Sequence, residues 1–344
     1  MFGPTKKRTS PRTFTFGAAR SVHINTMVFA LATSLILLVP AIARRGAQQP
    51  PPHSGPAQET FASAQDAASA FIEAVDKYDV ASLKKILGPE GTKLVESKDP
   101  VQDKNRAEHF ARMAEEKHTV VFDPHNAQRG YLVVGDNSWP WPVPIVERDG
   151  RWLFDTPAGI REVLYRRIGA NELDAIEICR GYVEAQRDYA LVRHDGSEVN
   201  QYAQRIISTP GTHDGLIWHN LDGSIGGAAP ISEPIAKALQ QGYTDRSQPY
   251  HGYYFKILKG QGPDAPLGQL DFVVNGAMIG GFALAAAPAE YRVTGVKTFI
   301  VSYEGIVYQK DLGPNTLSIF QEMTLYNPDK TWKPTNDNWP SENP

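Results

Sequence analysis

Cysteine is almost absent from this chain, with Cys179 alone among 344 residues. A single thiol excludes any internal disulfide framework. It also lies on a helical apolar stripe with Ile176 and Val183, so the spacing predicts a buried thiol acting as a small hydrophobe. A broad basic field is missing too. The formal net charge is -3, which leaves nothing to hold a polyanion, and nucleic acid is not expected as a partner. No apolar run reaches the about 20 residues that a spanning helix needs. Acids are absent from residues 1–26, whereas Lys6, Lys7, Arg8, Arg12 and Arg20 are basic.

Signatures of known chemistry are absent as well. No G-x-S-x-G elbow occurs, and Gly223-Ser224-Ile225-Gly226-Gly227 fits a turn better. No pair of histidines stands at zinc-ligand spacing on one helical face. His213 and His219 lie near Asp214 and Asp222, a polar cluster of a kind that binds metals. Their spacing in turn-rich sequence instead predicts solvated loop residues. No catalytic residue, metal or cofactor is expected.

What the chain has comes in segments. Met27 to Ala43 is an apolar core after the basic region, closed by Ala41-Ile42-Ala43. That pattern predicts an export signal over residues 1–47 and a periplasmic or secreted protein. Arg44 and Arg45 directly after the small residues keep a second reading open, an inner-membrane anchor at residues 27–43. A Pro-rich linker covers residues 48–59. Residues 60–160 read as three helices followed by short alternating strands, with Asp149-Gly150 as a hairpin turn. Residues 161–326 read as one long helix and then an antiparallel meander. A polar tail, expected to be flexible, fills residues 327–344. The class is α+β.

The glycine-rich stretch from His251 to Tyr291 decides between a ligand loop and a sheet. Tyr253, Phe255 and Ile257 alternate with Tyr254, Lys256 and Leu258, so this run is a strand. Phe282–Ala287, Thr298–Tyr303 and Ile306–Gln309 follow as three more. Nothing after Gly262 or Gly281 has helical periodicity, whereas a phosphate cradle opens directly into a helix. The glycines punctuate strands.

Three resemblances add to this. GYYFKILKGQGPDAPLGQLDFVVNGAMIGGFALAAAPAEY and TGVKTFIVSYEGIVYQKDLGPNT resemble the bacterial family catalogued as domain-of-unknown-function family 2950, over about residues 60–333. That resemblance implies an exported protein, mostly of Gram-negative bacteria, with no assigned activity. AFIEAVDKYDVASLKKIL with the hairpin VPIVERDGRWLFDT resembles the nuclear-transport-factor-2-like cone fold. ELDAIEICRGYVEAQRDYA followed by a meander ending in TGVKTFIVSYEGIVY resembles the globular half of type IV pilins and pseudopilins.

Aromatic residues provide the candidate surface: Trp139, Trp141, Trp218, Tyr250 and Tyr253. Rigid aromatic groups suit an envelope protein or a glycan as partner. The expected function is therefore a non-enzymatic binding or assembly module. An envelope hydrolase with its pocket in the cone or at the domain junction, and a small-ligand carrier, are the alternatives.

Overall fold

The computed structural model describes residues 58–97, 99–218 and 249–335. The expected export signal, most of the linker, and His219 and Asp222 lie outside the described residues.

Three of the four early helices begin where a short polar side chain satisfies free N–H groups. Ser63 accepts from Asp66 N at the start of α1 (Ala64–Asp76). Asp79 accepts from Ala81 N and Ser82 N at the start of α2 (Val80–Leu87). Gly88, at φ 75°, ends α2 in a conformation that side chains resist. A single turn, α3 (Thr92–Val95), precedes α4 (Pro100–Glu116), which is capped by Asp99 and opened by Pro100.

Five strands then form an antiparallel sheet: β1 (His118–Asp123), β2 (Asn126–Val134), β3 (Trp139–Pro140), β4 (Ile145–Arg148) and β5 (Arg151–Phe154). The order is β1-β2-β4-β5, with β3 paired to β2. Asp149 and Gly150 both take positive φ in the β4–β5 turn, as an Asp-Gly pair should. The chain ahead of α1 extends the sheet, since Phe61 and Trp152 exchange backbone bonds of 2.8 and 2.9 Å. Four rings converge beneath. Phe71 lies 5.7 Å from Phe110, 5.1 Å from Trp141 and 5.2 Å from Phe154, centroid to centroid.

Helix α5 (Thr156–Tyr189) runs on from this sheet. The apolar pattern places this helix over residues 160–193; it starts four residues earlier because Asp155 caps it and a proline sits in its first turn. It also ends four residues early, where His194 Nε2 lies 2.9 Å from the Tyr189 carbonyl. Its first turn belongs to the N-terminal cluster: Thr156 Oγ1 donates to Leu87 O at 2.6 Å. Gly159 faces Val143 so closely that a Cβ there would stand 2.5 Å from the Val143 side chain. Its last four turns belong to a second cluster.

A short parallel pair, β6 (Arg205–Ile207) and β7 (Gly215–Ile217), follows. Next come β8 (Tyr253–Leu258) and two minimal antiparallel pairs, β9 (Gly260–Gln261) with β10 (Leu270–Asp271), and β11 (Val273–Val274) with β12 (Ala277–Met278). The main sheet is completed by β13 (Ala283–Pro288), β14 (Lys297–Ser302), β15 (Val307–Asp311) and β16 (Lys333–Pro334), in the antiparallel order β16-β15-β14-β13-β8. The four strands expected from alternation are all present and pair in chain order. Helix α6 (Thr316–Glu322) follows β15.

Strand β13 is buried along its whole length, so both of its faces are covered. Tyr253, Phe255 and Ile257 of β8 bury on one face, where the Cys179 side of α5 lies; on the other, Lys256 Nζ donates to Gln321 O of α6 at 2.7 Å. Gln186, fully buried, donates to Tyr182 Oη and Ala203 O and accepts from Ala203 N, so none of its polar atoms is stranded. The polar tail was expected from residue 327. The backbone instead stays against the sheet through β16, with Tyr326 and Trp332 buried. Trp332 has a large apolar ring that the edge of β15 can cover, and Lys310 lies over it at 5.7 Å. Among the described residues no helix is long and apolar enough to cross a membrane.

Candidate functional site

The N-terminal half holds a partly enclosed cavity of about 470 Å³. Phe71 and Val75 from α1, Leu83 from α2, Leu94 from α3 and Phe110 from α4 form its apolar walls. Trp139, Trp141 and Val163 of α5 close another side. Its volume falls in the range of about 300–1,000 Å³ typical of small-molecule sites. A second, more open hollow of about 810 Å³ shares Arg106, Phe110, Trp139 and Trp141 with it.

Trp139 and Trp141 arrive on one stiff segment, Trp139-Pro140-Trp141-Pro142. Their rings meet edge to face at 6.1 Å. Trp141 packs inward on Phe71 and Phe110, both at 5.1 Å. Its indole Nε1 is buried with no hydrogen-bond partner. A buried N–H without an acceptor costs about 1–3 kcal/mol. Trp139 remains 39% exposed. Arg166 of α5 stacks over it at 5.6 Å and donates to Pro140 O at 2.8 Å, tying helix to strand.

The charged lining is uneven. Lys93, Arg106 and Arg166 are cationic and Asp103 is the one acid. Arg106 lies 3.5 Å from Asp103. Lys93 pairs with Glu90 at 3.0 Å and Arg166 with Glu162 at 2.8 Å, both acids outside the lining. The Ser97 backbone N–H, at 2.7 Å, holds the Asp103 carboxyl below its usual range, with help from the Ser97 hydroxyl and Arg106.

The other aromatic candidates lie elsewhere. Trp218 meets His213 at 4.4 Å and His194 at 5.7 Å, and its Nε1 donates to Gly215 O. Tyr250 stacks on His251 at 4.1 Å, and His251 Nδ1 bonds Asp174. Tyr253 is 1% exposed and its hydroxyl donates to Lys297 O at 2.8 Å, so it is a core residue and offers no surface. Burial drives its phenol pKa far upward. Of the five, Trp139 and Trp141 share a wall; among the described ring contacts neither meets Trp218 or Tyr250.

Of the expected polar cluster, His213 and Asp214 turn to different partners. His213 Nδ1 lies 3.2 Å from Asp195. Asp214 accepts from Thr209 N, Thr209 Oγ1 and Thr212 Oγ1. Burial raises the Asp214 pKa, and those donors outweigh it to leave the pKa lowered. Among the described residues no three His, Cys, Asp or Glu side chains converge on one point as a metal site would require.

Phe71, Val75, Leu83 and Phe110 recur on apolar helix faces, a spacing that reads as core. That they border a cavity, with Leu94, Arg106 and Arg166, had no sequence signal, because an unfilled volume is a property of five elements together.

The fold is thus α+β, with an aromatic-walled cavity in its N-terminal half. A family model described as "Protein of unknown function (DUF2950)" matches residues 58–335. The chain belongs to that family. No curated protein and no solved structure matches the chain.

Proposed function

We propose that this is an exported, non-enzymatic binding module that holds a small apolar ligand against Trp141. One observation carries the reading: a partly enclosed cavity of about 470 Å³ walled by Phe71, Val75, Leu83, Leu94, Phe110 and Trp141. An apolar lining with a few placed polar groups suits a ligand site. The export half of the reading rests on residues 1–47. Residues 60–160 as a cone-like domain and residues 161–326 as a pilin-like domain belong to the same proposal. Helices α1–α4 against a small sheet support the first, and α5 against the β8-β13-β14-β15 meander the second.

The test is saturable binding of N-phenyl-1-naphthylamine, an uncharged apolar fluorophore. The wild-type chain should bind it at one site. Ala107→Phe should abolish that binding, because Ala107 lines the cavity and the added ring fills it. Unsaturable binding, or binding unchanged in Ala107→Phe, would refute the reading.

A further inference from the structure

The first sheet ends on one side without a partner. Among the described residues β1 pairs only with β2, and no other strand, bridge or loop bonds to its backbone. The opposite edge is covered, because the chain ahead of α1 pairs with β5 through Phe61 and Trp152. We infer that the open edge of β1 pairs antiparallel with β1 of a second copy of this chain, about a two-fold axis at Val120. This inference stands apart from the cavity reading.

Natural sheet edges are usually blunted by a proline, a lysine within the strand, an inward charge or extreme shortness. The six residues of β1 carry none of these, and their centre reads Thr-Val-Val-Phe without a charge. Val121 is 51% exposed and Phe122 39%. The chain is already extended at Lys117, with φ -164° and ψ 134°. The register shift against β2 falls after Phe122 and places its extra residues in β2, so β1 is unbroken as far as Asp123.

The sequence of β1 also selects a register. A two-fold axis normal to a sheet sets odd residues opposite odd ones and even opposite even, since successive side chains alternate faces. Centred on Val120, Val120 meets its own copy, Thr119 meets Val121, His118 meets Phe122, and Lys117 meets Asp123 at both ends. Centred on Val121, the Lys117–Asp123 match is lost, and Pro124, which has no N–H, stands opposite His118. Centred on Thr119, Lys117 stands opposite Val121 and Glu116 opposite Phe122. Only the first of these registers sets opposite charges across from each other, which favours pairing. Both charges are free to take part. Among the described residues Lys117 forms no ion pair, and Asp123 accepts only from His125 N, at 2.9 Å. One strand from each copy makes a small interface, so the dimer belongs in the micromolar range.

The experiment is sedimentation equilibrium of the full chain over a concentration series through the micromolar range. The wild-type chain should show a reversible monomer–dimer equilibrium. Lys117→Glu and Asp123→Lys each set like charges at both ends of the interface. Either alone should weaken the dimer at least about tenfold, or about 1.4 kcal/mol. An equimolar mixture of the two variants should dimerise again, because opposite charges then face each other at both ends. Mixing cannot repair a misfolded variant, so this rescue separates a lost contact from a lost fold.

A wild-type chain that stays monomeric throughout the series would overturn the inference. A dimer that survives both charge reversals would overturn it as well, and self-association through residues 27–43 would give that pattern. Failure of the mixture to restore the dimer would refute the proposed register and the edge pairing with it.

Discussion

The two halves of this protein are assembled from similar parts, helices laid on an antiparallel sheet, yet one half is filled and the other is hollow. In the C-terminal half the central strand β13 reads Ala-Leu-Ala-Ala-Ala-Pro and is buried on both faces. Small side chains let α5 and α6 approach closely, and Tyr182, Phe282 and Phe299 fill the remaining space. In the N-terminal half two of the four helices are brief, α2 with eight residues and α3 with four. Large rings meet at Phe71, and the helices around them do not close every gap. The lesson is that apolar content alone does not fix density. Small residues on a central strand let helices close over both faces and produce a dense core, whereas large rings between helices leave volume.

That contrast can be broken most sharply by paired truncations. Leu284→Ala, at a fully buried site of β13, should cost about 2–5 kcal/mol in urea unfolding, from lost transfer energy plus a new cavity. Leu94→Ala, whose side chain borders space that is already empty, should cost about 1 kcal/mol, because fewer packing contacts are lost. Equal costs would erase the distinction between the halves.

The junction is tested next. Gly159→Ala would ordinarily strengthen a helix by about 1 kcal/mol. Here the new methyl would lie 2.5 Å from the Val143 side chain and 2.9 Å from its Cα. Overpacking should win, with a net loss of about 1–3 kcal/mol by thermal or urea melts. A stabilised variant would mean that α5 can lift from the first sheet freely.

Acid should act on the hollow half through Asp103. Its folded pKa lies below the ordinary value, so its stabilising contribution is present above about pH 4 and is lost as pH falls further. Wild type should therefore melt above Asp103→Asn at pH 7, and the gap should shrink toward pH 3. A constant gap would remove the carboxylate's role in anchoring Ser97 beside the cavity.

The smallest expected effect is at Cys179. Burial pushes its thiol up to about 12, so almost no thiolate exists near neutrality. Native protein should give no reaction with a disulfide reagent at pH 8, and denatured protein should give one thiol per chain. Rapid native labelling would show that α5 opens from the sheet and that the filled half is less closed than its packing implies.

Much of the fold could be read from local patterns. Alternation at Tyr253–Leu258 and turn pairs such as Asp149-Gly150 place strands, because a strand's period and a hairpin's turn are set by neighbouring residues. Helix caps at Ser63 and Asp79 work the same way. The same alternation that placed Tyr253 beside Phe255 and Ile257 also put it in the core, away from the surface expected of it. Trp332 looked like part of a polar tail because its partner, the edge of β15, lies more than twenty residues earlier in the chain.

By itself, then, the sequence determined the α+β class, the four meander strands and the inert thiol, all consequences of short-range periodicity. Only the tertiary structure decided that Trp139 and Trp141 wall a cavity while Trp218 and Tyr250 stand elsewhere. It alone brought Phe71, Leu94, Arg106 and Arg166 to one space. The physical reason is that an empty volume belongs to no single segment: it arises from how α1 through α5 fail to meet, and no local pattern encodes that failure.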